Sequence, residues 1–110
     1  MKQDHNKSEN LPQTLIRACS CGNYHLHYRY VMVTVPRKTL FHIMEECYEW
    51  EEMRAHAPAI YQQKPFRLMI GLVALTILPG DFDEFNNAVQ RASNEALDIK
   101  KLVGETGSNQ

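Results

Sequence analysis

The stretch YHLHYRYVMVTVPRKTLFHIMEECYEW, Tyr24 to Trp50, decides the fold, because two strand patterns and a helix pattern follow one another without a break. Tyr24 to Tyr28 alternates Tyr and Leu with His, the period of two expected of a strand with unlike faces. Val31, Val33 and Val35 alternate with Met32 and Thr34 in the same way. If Arg29 and Tyr30 between them form a two-residue turn, Tyr28 lies opposite Val31 and Leu26 opposite Val33; with no glycine at that turn, a single long bent strand is the alternative. Pro36 then ends the strand, since it has no N–H to give a ladder, and Thr39 is placed to cap a helix. On that helix Leu40, Ile43, Cys47 and Trp50 share one face, flanked by Phe41, Met44 and Tyr48. Glu45, Glu49 and Glu52 line the opposite side.

A weaker copy of this unit runs from Phe66 to Ala92. An offset of 42 residues lays Tyr24 on Phe66, Leu26 on Leu68, Tyr28 on Ile70, Val31 on Val73, Thr34 on Thr76, Leu40 on Phe82 and Ile43 on Phe85. The second turn falls at Gly71 and Leu72, where glycine in first position fits a type II′ hairpin. Its helix opens with Asp81 and Glu84 at capping-box spacing. It then carries Phe82, Phe85, Val89, Ala92, Ala96, Ile99 and Val103 on one stripe, longer than its counterpart. The expected fold is therefore α+β: an antiparallel sheet of four to five strands, two main helices on one face, and a tandem ββα-ββα pseudo-repeat.

Outward from these units the chain simplifies. Residues 1–13 are mostly polar and aperiodic and read as a disordered tail, as do residues 104–110, leaving one domain over residues 14–103 with units at about 24–50 and 66–92. Thr14 to Cys21 carries Leu15, Ile16 and Ala18 and reads as a further strand. Pro58 and Pro65 bracket the link between the units, with Ala59 to Gln63 suited to a turn of helix.

Composition narrows the function classes. The 110 residues are 44% hydrophobic and 23% charged, ordinary for a globular domain. Twelve basic against thirteen acidic residues leave a net charge of −1, without the basic excess of a nucleic-acid binder. The most apolar run, Leu68 to Leu78, is shorter than the roughly 20 residues of a membrane span. Three cysteines, with no secretory pattern at the N-terminus, fit a reducing, cytoplasmic setting better than a disulfide framework.

Two constellations carry potential chemistry. Cys19, Cys21, His25 and His27 lie within nine residues and offer the ligand types of zinc or another soft transition metal, though Cys-x-Cys is not the usual structural-zinc spacing. A tight hairpin at Gly22 and Asn23 sets Cys21 opposite Tyr24 and Cys19 opposite Leu26. Both cysteines then face the core, with the two histidines on the other side of the sheet. Only a looped Cys19–Tyr24 segment could gather the four. The second constellation is that other side itself, which carries His25, His27, Met32, Thr34, Met69, Ala74 and Thr76, with Arg29 and Arg67 near its rims. A mixed, neutral face left free of helices suits burial against a partner.

No G-x-S-x-G elbow, Walker loop or G-x-G-x-x-G is present. The sequence thus favours a non-enzymatic protein-interaction module that self-associates or meets a protein partner, with neither nucleic acid nor membrane and no cofactor. The alternative is a metal- or redox-responsive binding protein built on Cys19, Cys21, His25 and His27. An enzyme ranks behind both.

Overall fold

The computed structural model describes the backbone of residues 11–108, with side chains through Asp98. Of the tail expected at residues 1–13, residues 1–10 lie outside the described residues. Strands β1 (Thr14–Ala18), β2 (Tyr24–Tyr28) and β3 (Val31–Val35) precede helix α1 (Arg37–His56) and the single turn α2 (Pro58–Tyr61). Strands β4 (Phe66–Ile70) and β5 (Val73–Ile77) follow, then a 3₁₀ turn (Pro79–Asp81) and helix α3 (Phe82–Ser108). The protein is α+β, with both sheets antiparallel.

Both two-residue hairpins form, and the long bent strand that the first unit also allowed does not. Tyr28 pairs with Val31 and Leu26 with Val33 in the first; Ile70 pairs with Val73 and Leu68 with Leu75 in the second. Each turn has positive φ at its first residue, Arg29 at 53° and Gly71 at 61°. This sign matches the right-handed twist of the flanking strands. Glycine adopts it freely; Arg29 does so at a steric cost of about 1–2 kcal/mol.

The expected single sheet is corrected to two. β1, β2 and β3 form one three-stranded sheet, and β4 and β5 form a separate two-stranded one. Alternation within a hairpin determines which face turns inward but carries no instruction about which edges meet, so nothing in the pattern could join or separate the hairpins.

The inward residues of both sheets share one core with the helices. Leu26, Val35, Leu68 and Ile77 pack with Leu40, Ile43 and Cys47 of α1 and with Phe82, Phe85, Val89 and Ala96 of α3. Phe66 joins this core, with ring centroids 5.2 Å from Phe82 and 5.4 Å from Trp50. Such pairs add about 0.5–1.5 kcal/mol each beyond area burial. Trp50 also meets Tyr61 edge-on at 4.9 Å, which seats the short α2.

Three expected helix boundaries shift. Thr39 does not cap α1: the helix starts at Arg37 with Pro36 as N-cap, extended at φ −74° and ψ 165°. The Pro36 carbonyl accepts the first helical bond, from Leu40 N–H at 3.0 Å. Proline's φ is already suited to that position, so Thr39 falls inside the first turn. Asp81 and Glu84 make no capping box, because both carboxylates reach the first half of the chain. Asp81 Oδ2 accepts from Tyr28 Oη–H and from Arg29 Nε–H, each at 2.7 Å. Glu84 Oε2 accepts from the backbone N–H of Gln13 at 2.7 Å and of Thr14 at 3.3 Å. Finally, α3 continues past Val103 through residues 104–108, where a tail was expected. Two glycines there each cost about 1 kcal/mol but no proline blocks the next turn, so composition alone places no boundary.

Candidate functional site

Strand register determines what the outer face contains. β1 pairs with β2 through Thr14 on Tyr28, Ile16 on Leu26 and Ala18 on Tyr24. The tight hairpin at Gly22 and Asn23 is thereby corrected to a five-residue connection, Cys19–Asn23. Two bonds close it: Cys19 N–H to Asn23 O at 2.7 Å and Gly22 N–H to Cys19 O at 3.0 Å. Gly22 takes φ +92°, a conformation that L side chains rarely adopt. The register differs by three residues from the expected one. An odd shift exchanges faces, so Thr14, Ile16 and Ala18 turn inward and Leu15 and Arg17 outward.

The outer face of the three-stranded sheet therefore consists of two rows, Leu15–His27–Met32 and Arg17–His25–Thr34. His25 Nδ1 lies 3.1 Å from Thr34 Oγ1, which ties the central strand to β3. Met32 is 54% exposed and Leu15 41%. On the two-stranded sheet, Met69 faces Ala74 and Arg67 faces Thr76, all exposed. The single outer face expected for seven residues is corrected: His25, His27, Met32 and Thr34 lie on the three-stranded sheet and Met69, Ala74 and Thr76 on the separate two-stranded one. Leu15 and Arg17 escaped the sequence reading; the alternation of Thr14, Ile16 and Ala18 was the available signal, obscured by the assumed turn.

The free edge of β3 is the second feature of this surface. In a two-residue hairpin the residues flanking the turn exchange both backbone bonds, and pairs alternate from there. Val31, Val33 and Val35 thus bond to β2, while the N–H and C=O groups of Met32 and Thr34 point away from it. Among the described residues no strand pairs with that edge. Its five residues, VMVTV, contain neither charge nor proline, the usual protections of an edge.

The cysteines and histidines fall into separate places. Cys21 is exposed and Cys19 half-buried in the loop, while Cys47 is buried in α1 and all three are free. Cys21 N–H donates to Cys19 Sγ at 3.3 Å. The adjoining Cys19 side chain, ahead of the Asn23 backbone, holds the Cys21 thiol below its usual pKa. Burial, with Glu46 and Glu51 nearby, pushes the Cys47 thiol up to about 12. Among the described residues no three His, Cys, Asp or Glu side chains come close enough to hold a metal ion. The loop brings Cys19 and Cys21 together, whereas His25 is engaged with Thr34 and His27 sits between Leu15 and Met32 on the sheet.

Two further arrangements lie elsewhere. A cleft of about 310 Å³ between α1 and β4 is floored by Trp50, Met53, Pro65 and Phe66, with Glu46, Glu49 and Arg67 around it. Apart from that cleft, Tyr28 ties the two halves of the chain together. Its hydroxyl donates to Asp81 and accepts from Leu78 N–H at 3.0 Å. Partial burial raises the Tyr28 phenol above its usual value. Burial alone would raise the Asp81 carboxyl as well, but the bonds from Arg29 and Tyr28 prevail and hold it below the ordinary carboxylate range.

The chain matches no protein-family model, no curated protein and no solved structure. Among the described residues no helix is long and apolar enough to cross a membrane.

Proposed function

We propose that this protein is a non-enzymatic interaction module that self-associates by pairing β3 with β3 of a second copy. The observation that carries the reading is the free β3 edge, uncharged and proline-free, with Val31 40% and Met32 54% exposed. An antiparallel two-fold pairing centred on Val33 sets Met32 against Thr34 of the second copy, and Val31 against Val35. Met32 and Thr34 are the residues whose backbone groups face the free edge, so this register lets each pair exchange both bonds. All opposing side chains are uncharged, and most are β-branched, which favours cross-strand packing. The product is a continuous six-stranded sheet with Met32, Thr34, His25 and His27 flanking the seam. Met69, Ala74 and Thr76 lie on the separate sheet and form a second mixed face outside that seam.

The same reading takes the two hairpins as one unit used twice. Their registers are related by the constant offset of 42 residues, and Arg29 and Gly71 hold positive φ at equivalent turn positions. Three free cysteines suit the cytoplasmic setting expected from the sequence.

A concentration series of the full chain in multi-angle light scattering tests the module. The mass should rise from monomer to dimer. Met32→Lys should return it to monomer, since a lysine on an edge opposes pairing. Met69→Lys, on the other sheet, should leave the dimer intact. A monomer at every concentration, or equal loss in both variants, would count against β3 pairing.

A further inference from the structure

The three cysteines differ in ways that packing alone does not require. Cys47 is sealed in the core, but Cys19 and Cys21 open the β1–β2 connection at the far end of the sheet from the Arg29–Tyr30 turn. Cys19, Ser20, Cys21 and Gly22 form a turn closed by the Gly22 N–H to Cys19 O bond at 3.0 Å. Such a turn holds its first and fourth Cα atoms within about 7 Å, and its first and third stand closer, inside the roughly 4.4–6.8 Å that a disulfide spans. The Cys19 sulfur is already turned toward the third residue, 3.3 Å from Cys21 N. Cys21 is the exposed member and can be reached from solvent; Cys19 behind it is half-buried.

We propose that Cys19 and Cys21 are a dithiol redox pair that exchanges with small-molecule disulfides. Cys21, as thiolate, attacks one sulfur of the incoming disulfide. A mixed disulfide forms on Cys21 and the first small thiolate leaves. Cys19 gives its proton to solvent and attacks the Cys21 sulfur, forming the Cys19–Cys21 bond and expelling the second thiolate. Two electrons pass from the cysteine pair to the small disulfide, which is reduced to two thiols. A bridge across three residues in an exposed turn belongs to the readily reversed class of disulfides, so excess reduced thiol restores the pair. The lowered Cys21 thiol supports its role as the attacking group.

The test uses the full reduced chain and oxidised glutathione, followed by alkylation of the remaining thiols and trypsin digestion. Cleavage after Arg17 and Arg29 leaves both cysteines on one peptide, residues 18–29. That peptide should lose about 2 Da with no attached glutathione, the mark of an internal bridge. Cys19→Ser should stop at glutathione on Cys21, and Cys21→Ser should leave Cys19 largely unreacted. In the native wild type, Cys47 should alkylate roughly thirtyfold or more slowly than Cys21, because so little of it is thiolate. Met32→Lys, defective only in association, should still close the bridge. Accumulation of glutathione on wild-type Cys21 without closure, a bridge between two chains, or Cys21 reacting no faster than Cys47 would overturn the proposal.

Discussion

Replacing Tyr28 with phenylalanine removes one oxygen and keeps the ring, including its edge-on contact with Phe85 at 6.1 Å. The hydroxyl donates to the Asp81 carboxylate at 2.7 Å and accepts from Leu78 N–H at 3.0 Å. A hydrogen bond to a charged group is worth about 1.5–3 kcal/mol. The Asp81 side chain is only 13% exposed, so water replaces that bond poorly. Leu78 is 46% exposed, so water recovers much of the second bond. The expected loss is therefore about 2–3 kcal/mol in unfolding free energy, a large share of the stability typical of a domain. At this chain length it lowers the melting temperature by on the order of 10 °C. Urea denaturation with unchanged slope, combined with Asp81→Asn in a double-mutant cycle, should show a coupling of about 1 kcal/mol or more. A loss under about 0.5 kcal/mol, or strict additivity, would refute the claim that this node joins the two halves.

Further outcomes follow from the same geometry. Asp81 has a depressed folded pKa, so the stability it contributes is complete above its unfolded value and is lost as pH falls through the folded one. Asp81→Asn should therefore flatten the acid limb below about pH 4 in a stability–pH profile. Arg29→Gly should be more stable than Arg29→Ala by denaturant midpoint, because both lose the Asp81 ion pair but only glycine relieves the positive φ; Gly71→Ala should cost about 1 kcal/mol. Glu84→Ala should speed hydrogen exchange at Gln13 and Thr14 and cost about 1–2 kcal/mol, with Glu84→Gln milder since it keeps an acceptor. Ser93→Ala should stabilise the protein by up to about 1 kcal/mol in thermal melts, because it removes a fully buried hydroxyl that has no partner among the described residues and improves helix propensity.

Much of this architecture is legible in single residues. The alternation of Tyr24 to Tyr28 and Val31 to Val35 marks two strands and the face each turns inward, because that face must be apolar, whereas the turn between them rests on a positive φ at Arg29 that no glycine announces, unlike Gly71. The helix stripes through Leu40, Ile43 and Cys47 and through Phe82, Phe85 and Val89 are equally direct. What escaped is whatever long-range bonding decides. Asp81 and Glu84 have the spacing of a local cap, yet Tyr28, Arg29 and the start of β1 claim their carboxylates. Gly22 and Asn23 have the composition of a tight turn, yet Cys19 N–H donating to Asn23 O and Cys19 O accepting from Gly22 N–H hold a longer loop. That loop turned the β1 face over, brought Leu15 and Arg17 to the surface, and brought the cysteines together while leaving the histidines on the sheet. The free edge of β3 depends on strand order, which no local pattern encodes.

Hydrogen exchange along β3, followed at low and high protein concentration, bears most directly on the self-association account. Pairing of β3 across a two-fold predicts that the Met32 and Thr34 amides, exposed on the free edge, slow markedly as concentration rises. Val31, Val33 and Val35, already bonded to β2, should change far less. Equal exchange of Met32 and Thr34 at both concentrations, in a chain that nonetheless dimerises, would place the interface elsewhere and contradict the account.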